Sequence, residues 1–247
     1  MKLLNLGCGA RHHPDWVNVD FTSGSPDVLA HDLKTPLPFP EGIFDAVYHS
    51  HVLEHLPRAA APGFLAECRR VLRPGGVIRV AVPDLERIAR TYLDLLDGSL
   101  AGDRAAMARY EWIILELFDQ MVRSASGGEM LAYWKQNPMP AEDFVFERVG
   151  SEARSCIAAL RSAKQEPSPA PVTDPVRIGQ FRLSGEVHQW MYDRYSLGDL
   201  LMRAGFRDIA VRDAHKSNIP GFSGYLLDVE PDGSVRKPDS FFMEALK

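Results

Sequence analysis

The stretch Leu4-Asn5-Leu6-Gly7-Cys8-Gly9, followed by Val17-Asn18-Val19-Asp20, decides the fold of this chain. The first run is apolar and the second has alternating valines, and both patterns are typical of β-strands. Glycines after a strand let the backbone approach a ligand closely. An acidic residue at the end of the next strand suits a ribose, because one carboxylate accepts protons from two hydroxyls. Ligands of open α/β sheets bind beyond the carboxyl ends of the strands, so the two runs predict a nucleoside site at that edge.

The spacing of these residues disfavours a dinucleotide cofactor. A dinucleotide fingerprint has a third glycine three residues after the second, and an acidic residue about 20 residues further on. Here His12 stands at the third position, and Asp20 comes eleven residues after Gly9. The two runs alone leave one alternative open, which is a tight turn followed by an exposed aspartate.

The remaining pattern predicts a sheet domain interrupted by helices. Four prolines between Pro167 and Pro175 indicate an exposed, stiff loop within the interruption. Ser196 is the predicted N-cap of a helix that ends before Gly205. We expect the sheet domain to comprise residues 1–84 and 193–247, and residues 85–192 to form a mostly helical insertion. The other predicted strands are Asp27–Ala30, Phe44–His49, Val77–Val82, Ile209–Val211 and Ser240–Ala245, and the predicted flanking helices are Pro62–Leu72 and Ser196–Ala204.

The composition is that of an ordinary globular protein, with 45% apolar and 25% charged residues. A net charge of −5 and a pI near 5.9 argue against an electrostatic nucleic-acid binder. Three cysteines without a Cys-x-x-Cys pair fit reduced thiols better than a disulfide framework. The first residues lack the apolar segment of a signal peptide, and no run of about 18 apolar residues predicts a membrane span. We therefore expect a cytoplasmic protein without membrane contact.

Further motifs along the first 80 residues extend the opening pattern. They are His31-Asp32-Leu33, Phe44-Asp45-Ala46-Val47, His51-Val52-Leu53-Glu54-His55 and Arg70-Val71-Leu72-Arg73-Pro74-Gly75-Gly76. In this order they resemble the class I S-adenosylmethionine-dependent methyltransferases, in particular the small-molecule type with LEHL and RVL-PGG motifs. The resemblance implies an α/β fold: a doubly wound, mainly parallel, seven-stranded Rossmann-like sheet that binds S-adenosylmethionine at its strand tips.

The resemblance also implies which residues bind the cofactor. Asp20 would hold the ribose hydroxyls, Asp32 would accept a hydrogen bond from the adenine amine, and His49 and Ser50 would lie near the sulfonium. The full set carried over is Leu6, Gly7, Cys8, Gly9, Asp20, Phe21, Asp32, Leu33, His49 and Ser50.

Three residues are candidates for handling the methyl acceptor. His51 should project near the methyl group, as a base or orienting group, with packing as the alternative. Asp84 follows the fifth strand and could bind an acceptor hydroxyl or cap the next helix. His188 precedes Gln189-Trp190-Met191-Tyr192 and could belong to an acceptor wall, although aromatic clusters are more often core.

The segment His51-Val52-Leu53-Glu54-His55 also matches H-x-x-E-H, a zinc-protease signature with two histidines one helical turn apart. Pro57 leaves little room for the required helix, and no acidic ligand motif follows downstream. We therefore expect no bound metal.

The first two crossovers are unusually short. Residues 10–16 and 21–27 are all that separate the first three strands, whereas a parallel crossover normally needs a dozen or more residues. One face of the sheet should then be thinly covered at the cofactor end. We expect the insertion at residues 85–192 to fold over that opening as a substrate lid.

These observations favour a methyltransferase acting on a small molecule or a glycan unit, with oxygen as the methylated atom, in secondary-metabolite or surface-polysaccharide pathways. One alternative is a non-catalytic cofactor-binding or scaffold protein of the same fold. A nucleic-acid methyltransferase is disfavoured by the acidic balance. It is also disfavoured by Tyr48-His49-Ser50-His51, which stands where an Asn-Pro-Pro-Tyr/Phe motif would be expected.

Overall fold

The described residues contain one mixed β-sheet. A computed structural model of the chain describes residues 1–162 and 172–247. In that part of the chain, seven strands pair in the order β3-β2-β1-β4-β5-β7-β6, with β7 antiparallel to both of its neighbours. The mainly parallel, seven-stranded α/β sheet implied by the resemblance is thus confirmed. The strands are β1 (Leu3–Leu6), β2 (Trp16–Asp20), β3 (Val28–Ala30), β4 (Phe44–Ser50), β5 (Leu72–Pro83), β6 (Arg207–Arg212) and β7 (Ser240–Leu246).

Strand order reverses between β1 and β4, so their carboxyl ends form the topological switch point at which open α/β sheets bind ligands. The described residues also form helices. They are α1 (Ala61–Val71), α2 (Leu85–Leu100), α3 (Arg104–Val122), α4 (Gly128–Trp134), α5 (Glu142–Val149), α6 (Ser151–Ser162), α7 (Pro175–Leu183) and α8 (Arg194–Arg203).

Helices α1 and α8 cover one face of the sheet. In α1, Phe64, Leu65 and Cys68 are three or four residues apart, so they share one helix face and are buried in the core. Leu197 and Leu201 of α8 enter the same core. Burying each of these large side chains contributes about 1.5–3 kcal/mol, which fixes both helices on the sheet.

The N-cap predicted for α8 is wrong by three residues. Asp193, not Ser196, is the N-cap, and its carboxylate accepts hydrogen bonds from the backbone N–H groups of Tyr195 and Ser196. The Ser196 hydroxyl in turn accepts from the Asp193 N–H at 3.0 Å. Because the two side chains form a capping box, the helix begins two residues earlier than predicted.

The opposite face lacks crossover helices near β1, β2 and β3. Residues 7–15 and 21–27 are all described, and they form only turns and extended chain, as their length predicts. The connection between β6 and β7 covers this face instead. Its residues Ile219, Phe222 and Leu227 pack against Trp16 of β2 and Tyr48 of β4. The sequence analysis gave this connection no role.

A buried ion network attaches the connection to the sheet. The fully buried Arg79 side chain of β5 donates to the carboxylates of Asp228 at 2.8 Å and Glu244 at 3.0 Å. Its guanidinium lies 4.5 Å from the ring centre of Phe222. The Tyr48 hydroxyl donates to Asp228 at 2.5 Å. The Arg79 guanidinium thus links β5 to β7 and to the connection between β6 and β7. Tyr48 links β4 to the same Asp228 carboxylate.

The described residues group into two compact units. The sheet unit comprises Met1–Pro83, Trp190–Val235 and Ser240–Lys247, and the helical unit comprises the described parts of Asp84–Gln189 together with Arg236–Asp239. The helical unit has its own apolar core around Trp112 and a buried ion pair between Arg148 and Glu116 at 2.7 Å.

The proline-rich loop predicted between Pro167 and Pro175 lies largely outside the described residues; Pro175 itself begins α7, and the Asp174 side chain caps that helix. Among the helices that the structure describes, none is long and apolar enough to span a bilayer.

Candidate functional site

The loop after β1 needs glycine at its first position. Gly7 has a φ of +65°, and a Cβ atom there would lie 2.2 Å from Cγ2 of Val52. Any other residue would therefore be strained and would clash with the segment that follows β4. Gly9, with a φ of +53°, has open space around it. The loop thus lies close to β4 on one side and leaves its Gly9 end open.

Asp20 closes the other side of this loop. It ends β2, and its Oδ2 accepts a hydrogen bond from the Gly9 N–H at 2.8 Å. The bond holds the carboxylate beside the loop at the carboxyl edge of the sheet. The remaining lone pairs of the two oxygens can accept hydroxyl protons, which is what a ribose diol requires.

The loop is anchored by an ion pair that the sequence analysis missed, between Arg11 and Glu230. Arg11 donates to both carboxylate oxygens of Glu230, at 2.6 and 2.7 Å. The Asn5 side chain donates to the Arg11 carbonyl at 3.1 Å. The connection between β6 and β7, which carries Glu230, therefore also fixes the candidate cofactor loop. No local pattern marks Glu230, because it lies 219 residues from Arg11.

The other residues expected to contact the adenosine differ in exposure. Leu6 is fully buried, so only its backbone faces the loop. Phe21 is 67% exposed, which leaves its ring free to stack on a ligand. The Asp32 carboxylate accepts from the Lys34 N–H at 3.0 Å, and Leu33 lies near Gly7.

Cys8 is a packing residue in this loop. Burial, together with the nearby Asp20 carboxylate, raises the pKa of its thiol to about 11. The thiol is therefore protonated at neutral pH and unsuited to nucleophilic chemistry, in agreement with its interpretation as a small buried side chain.

His49 and Ser50 end β4, the strand beside the switch point. The His49 ring is fully buried and packs edge-on against Phe64 at 5.1 Å. Burial lowers its pKa to about 4, so the ring is neutral at physiological pH. A role near the sulfonium could then come only from the His49 backbone. Ser50 is half-buried at the strand tip.

His51 is held in an unusual backbone conformation directly after β4. Its φ of +54° lies in the left-handed region, which non-glycine residues seldom adopt. Nδ1 of its ring is 3.1 Å from Oε1 of the fully buried Glu54, and Nε2 is 2.7 Å from the Ser240 hydroxyl. Both ring nitrogens therefore have polar partners, and the side chain is 13% exposed.

The zinc-protease interpretation of residues 51–55 requires an α-helix that is not formed there. Leu53–His55 is a single 3₁₀ turn, and His51 precedes it with its left-handed backbone. His51 and His55 are therefore not stacked on one helix face as the signature requires.

The two remaining candidates belong to the helical unit. The Asp84 carboxylate accepts from the Arg87 N–H at 3.0 Å and caps α2, which is the structural alternative considered for it. His188 is buried, and its backbone N–H donates to the Gln120 carbonyl at 2.9 Å.

Comparison with known proteins assigns a family to residues 4–80, the first part of the sheet unit. Residues 4–80 match the family described as "Methyltransferase domain". A probable S-adenosylmethionine-dependent methyltransferase of Mycolicibacterium smegmatis is 43% identical over 56 residues, which are 23% of this chain and 21% of that protein. The chain carries a class I S-adenosylmethionine-dependent methyltransferase domain. The cofactor of this methyltransferase domain is S-adenosylmethionine. The chain spans about a fifth of the length of this curated relative.

Solved methyltransferases resemble the chain only distantly. An S-adenosylmethionine-dependent methyltransferase from Archaeoglobus fulgidus is 13% identical with a TM-score of 0.41, and the match covers 100% of this chain and 86% of that one. The 1,6-didemethyltoxoflavin-N1-methyltransferase of Burkholderia thailandensis, solved with 1,6-didemethyltoxoflavin and S-adenosylhomocysteine, is 12% identical with a TM-score of 0.41. That match covers 99% of this chain and 70% of the other. Similarities of this size say nothing about the substrate of the methyltransferase domain.

Proposed function

We propose that this protein transfers the methyl group of S-adenosylmethionine to an oxygen atom of a small molecule or a glycan unit. The observation that carries the proposal is the pairing of the glycine loop with the Asp20 carboxylate at the switch point of the sheet. The family of residues 4–80 supports the cofactor, and the net charge of −5 favours a neutral acceptor over a polyanion.

Methyl transfer to a hydroxyl requires the protein to align the acceptor oxygen with the methyl group and to remove the hydroxyl proton. The methyl group already sits on a positively charged sulfur, so the acceptor oxygen must be held in line with the S–CH₃ bond. A hydroxyl acceptor must also lose its proton as the new O–CH₃ bond forms. Gly7, Gly9 and Asp20 would fix the cofactor, and His51 is the titratable side chain next to the tip of β4 that suits the second task.

Replacing Asp20 by alanine should raise the dissociation constant of S-adenosylmethionine by about 10- to 100-fold, because two hydrogen bonds to a charged group are lost. Isothermal titration calorimetry measures the affinity, and thermal unfolding shows that the variant remains folded. Asp27→Ala, at an exposed position before β3, is the matched control and should bind normally. Undiminished affinity of Asp20→Ala would refute the assignment of this residue.

The acceptor class can be tested by a panel of hydroxyl-bearing metabolites and glycans, with release of S-adenosylhomocysteine as the readout. Mass spectrometry of the product then identifies the methylated atom. Turnover of a hydroxyl acceptor supports the proposal, whereas exclusive methylation at nitrogen or carbon contradicts it. Binding of the cofactor without turnover on any member of the panel would favour a non-catalytic cofactor-binding protein.

We further propose that the helical unit recognises the acceptor and closes over it as a lid. This unit begins at Asp84, immediately after the carboxyl end of β5, so the chain enters it from the edge of the sheet that carries the cofactor loop. Its length and composition would supply the acceptor-specific surface that the short crossovers of the sheet unit do not.

The lid proposal predicts a change in backbone protection. Adding S-adenosylhomocysteine should slow amide hydrogen exchange in helices α2–α7, because closure reduces their local opening. Hydrogen-exchange mass spectrometry measures this, and Asp20→Ala at the same ligand concentration provides the control. Slower exchange confined to the β1–β2 region would mean that the helical unit does not respond to the cofactor.

Finally, we propose a cytoplasmic location. Cys8, Cys68 and Cys156 are all free thiols, as expected for a protein kept in a reducing compartment.

A further inference from the structure

A serine, a histidine and a glutamate form a line at the carboxyl edge of the sheet unit. The Ser240 hydroxyl is 2.7 Å from Nε2 of His51, and Nδ1 of His51 is 3.1 Å from a carboxylate oxygen of Glu54. Ser240 and His51 are 189 residues apart in the sequence, so no local motif predicts their contact. The arrangement is that of a nucleophile, a base and a group that orients the base.

The carboxylate determines which nitrogen of His51 carries the proton. Glu54 is fully buried, and its negative charge, when ionised, lies 3.1 Å from Nδ1, so its electrostatic attraction favours the tautomer with the proton on Nδ1. Nε2 is then an acceptor, and the Ser240 hydroxyl is the donor that it faces. Asp228 also lies within electrostatic range of His51.

The strands place this line beside the candidate cofactor loop. His51 follows β4, which pairs with β1, and its N–H donates to the Ala81 carbonyl of β5 at 2.9 Å. Ser240 begins β7 opposite Pro83, the last residue of β5. Both side chains therefore stand at strand ends on the edge where the methyl group would be presented. His51 follows β4, which borders the switch point, and Ser240 begins β7, two strands from β4.

The backbone of His51 indicates that this placement is imposed by the fold. A left-handed conformation costs a residue with a Cβ atom about 1–2 kcal/mol, and the structure must compensate for it elsewhere. The residue that bears this backbone cost is the one whose ring contacts both Glu54 and Ser240.

We propose that Glu54, His51 and Ser240 form a proton relay, in which the Ser240 oxygen takes the proton of the acceptor hydroxyl. The relay rests on the proposed function, in which the acceptor is a hydroxyl group.

As the acceptor oxygen bonds to the methyl carbon, the S–CH₃ bond breaks and its electron pair returns to sulfur. The acceptor O–H proton moves to the Ser240 oxygen, and the Ser240 proton moves to Nε2 of His51. S-adenosylhomocysteine leaves neutral, and the positive charge rests on His51 beside the Glu54 carboxylate. Ser240 is then the catalytic residue that touches the acceptor, and Glu54 is a positioning residue.

The relay makes the Ser240 oxygen unusually nucleophilic, which can be tested without an acceptor. An alkyl fluorophosphonate probe reacts when a serine oxygen displaces fluoride from phosphorus while a base takes the hydroxyl proton. We expect labelling at Ser240, located by peptide mass spectrometry, at least about 100-fold faster than at the exposed Ser223 of the same chain. Equal labelling of the two serines would overturn the proposal.

Variants test each member of the relay. His51→Gly suits the left-handed backbone, should lower the labelling rate by about 10²–10⁴-fold, and should be rescued by added imidazole, which a merely structural histidine would not be. Glu54→Gln should slow labelling by at least about tenfold. If this variant does not fold, Ser240→Ala and His51→Gly still decide the proposal. Persistent labelling in His51→Gly would refute the relay.

The proton relay and the proposed methyl-transfer function can be refuted independently of each other. Labelling needs no S-adenosylmethionine, whereas calorimetry on the unmodified protein measures only cofactor binding. Cofactor binding without selective labelling would refute the relay and leave the proposed function standing. Selective labelling without cofactor binding would overturn the methyl-transfer proposal, and with it the assignment of this activated serine to methyl transfer.

Discussion

Replacing Arg79 by methionine is expected to lower the free energy of unfolding by about 3–5 kcal/mol. The guanidinium is fully buried and is the cation paired with both Asp228 and Glu244. Burial raises the pKa of the Asp228 carboxyl, and Arg79 is the strongest influence opposing that rise. Without it, the buried Asp228 carboxylate loses the cation it is paired with, and the buried Glu244 keeps only the Arg212 guanidinium, 3.4 Å away. Urea denaturation followed by circular dichroism measures the change.

The matched control is Arg203→Met, which removes an exposed arginine paired with Asp199 at 2.9 Å. This exposed pair should contribute less than about 0.5 kcal/mol. Neutralising the partners together with the cation, in Arg79→Met/Asp228→Asn/Glu244→Gln, should recover part of the loss, because no buried charge is then left unpaired. Equal effects of the two arginine variants would show that the buried network does not stabilise the fold.

Acidification from about pH 7.5 to about pH 4 should destabilise the protein by about 3 kcal/mol through His49 alone. Burial lowers the pKa of His49 from 6.5 to about 4 in the folded state. Above pH 6.5 both states are neutral at this residue and it contributes nothing to the pH dependence. Between the two values only the unfolded chain gains the proton, so unfolding becomes easier as the pH falls.

The difference between two stability curves isolates this effect from the titration of carboxylates. Unfolding free energies from pH 7.5 to 4 should fall less steeply for His49→Met, which cannot titrate, than for the unaltered chain. His31→Gln, at a half-buried position after β3, should reproduce the unaltered slope. Parallel curves for His49→Met and the unaltered chain would contradict the lowered pKa.

Features that depend on neighbouring residues could be predicted from the sequence. Gly7 and Asp20 stand in a short pattern whose spacing already determines the turn and the acidic strand end, and the structure joins Asp20 to Gly9 by a hydrogen bond. The order of apolar runs likewise predicted all seven strands. The start of α8 was predicted wrongly because Asp193 and Ser196 are both good N-caps, and only their mutual hydrogen bonds decide between them.

Features that join distant parts of the chain could not be predicted. Arg79 contacts residues 149 and 165 positions away, and an arginine within an apolar strand gives no sign of which carboxylates will meet it. The same holds for the contact between Ser240 and His51. The sequence pattern identified His51 as a candidate because of where its strand ends, but its ring partners are Glu54 in the turn that follows and Ser240, which lies 189 residues further along the chain.

The cover of the helix-free face has a consequence for the synthesis of this protein. Trp16 and Tyr48 leave the ribosome early, but Ile219 and Phe222, which bury them, are made about 200 residues later. Until then the aromatic side chains of the first strands lack the cover that this connection provides. The cofactor loop thus gains its Glu230 anchor only after the chain has been synthesised 219 residues beyond Arg11.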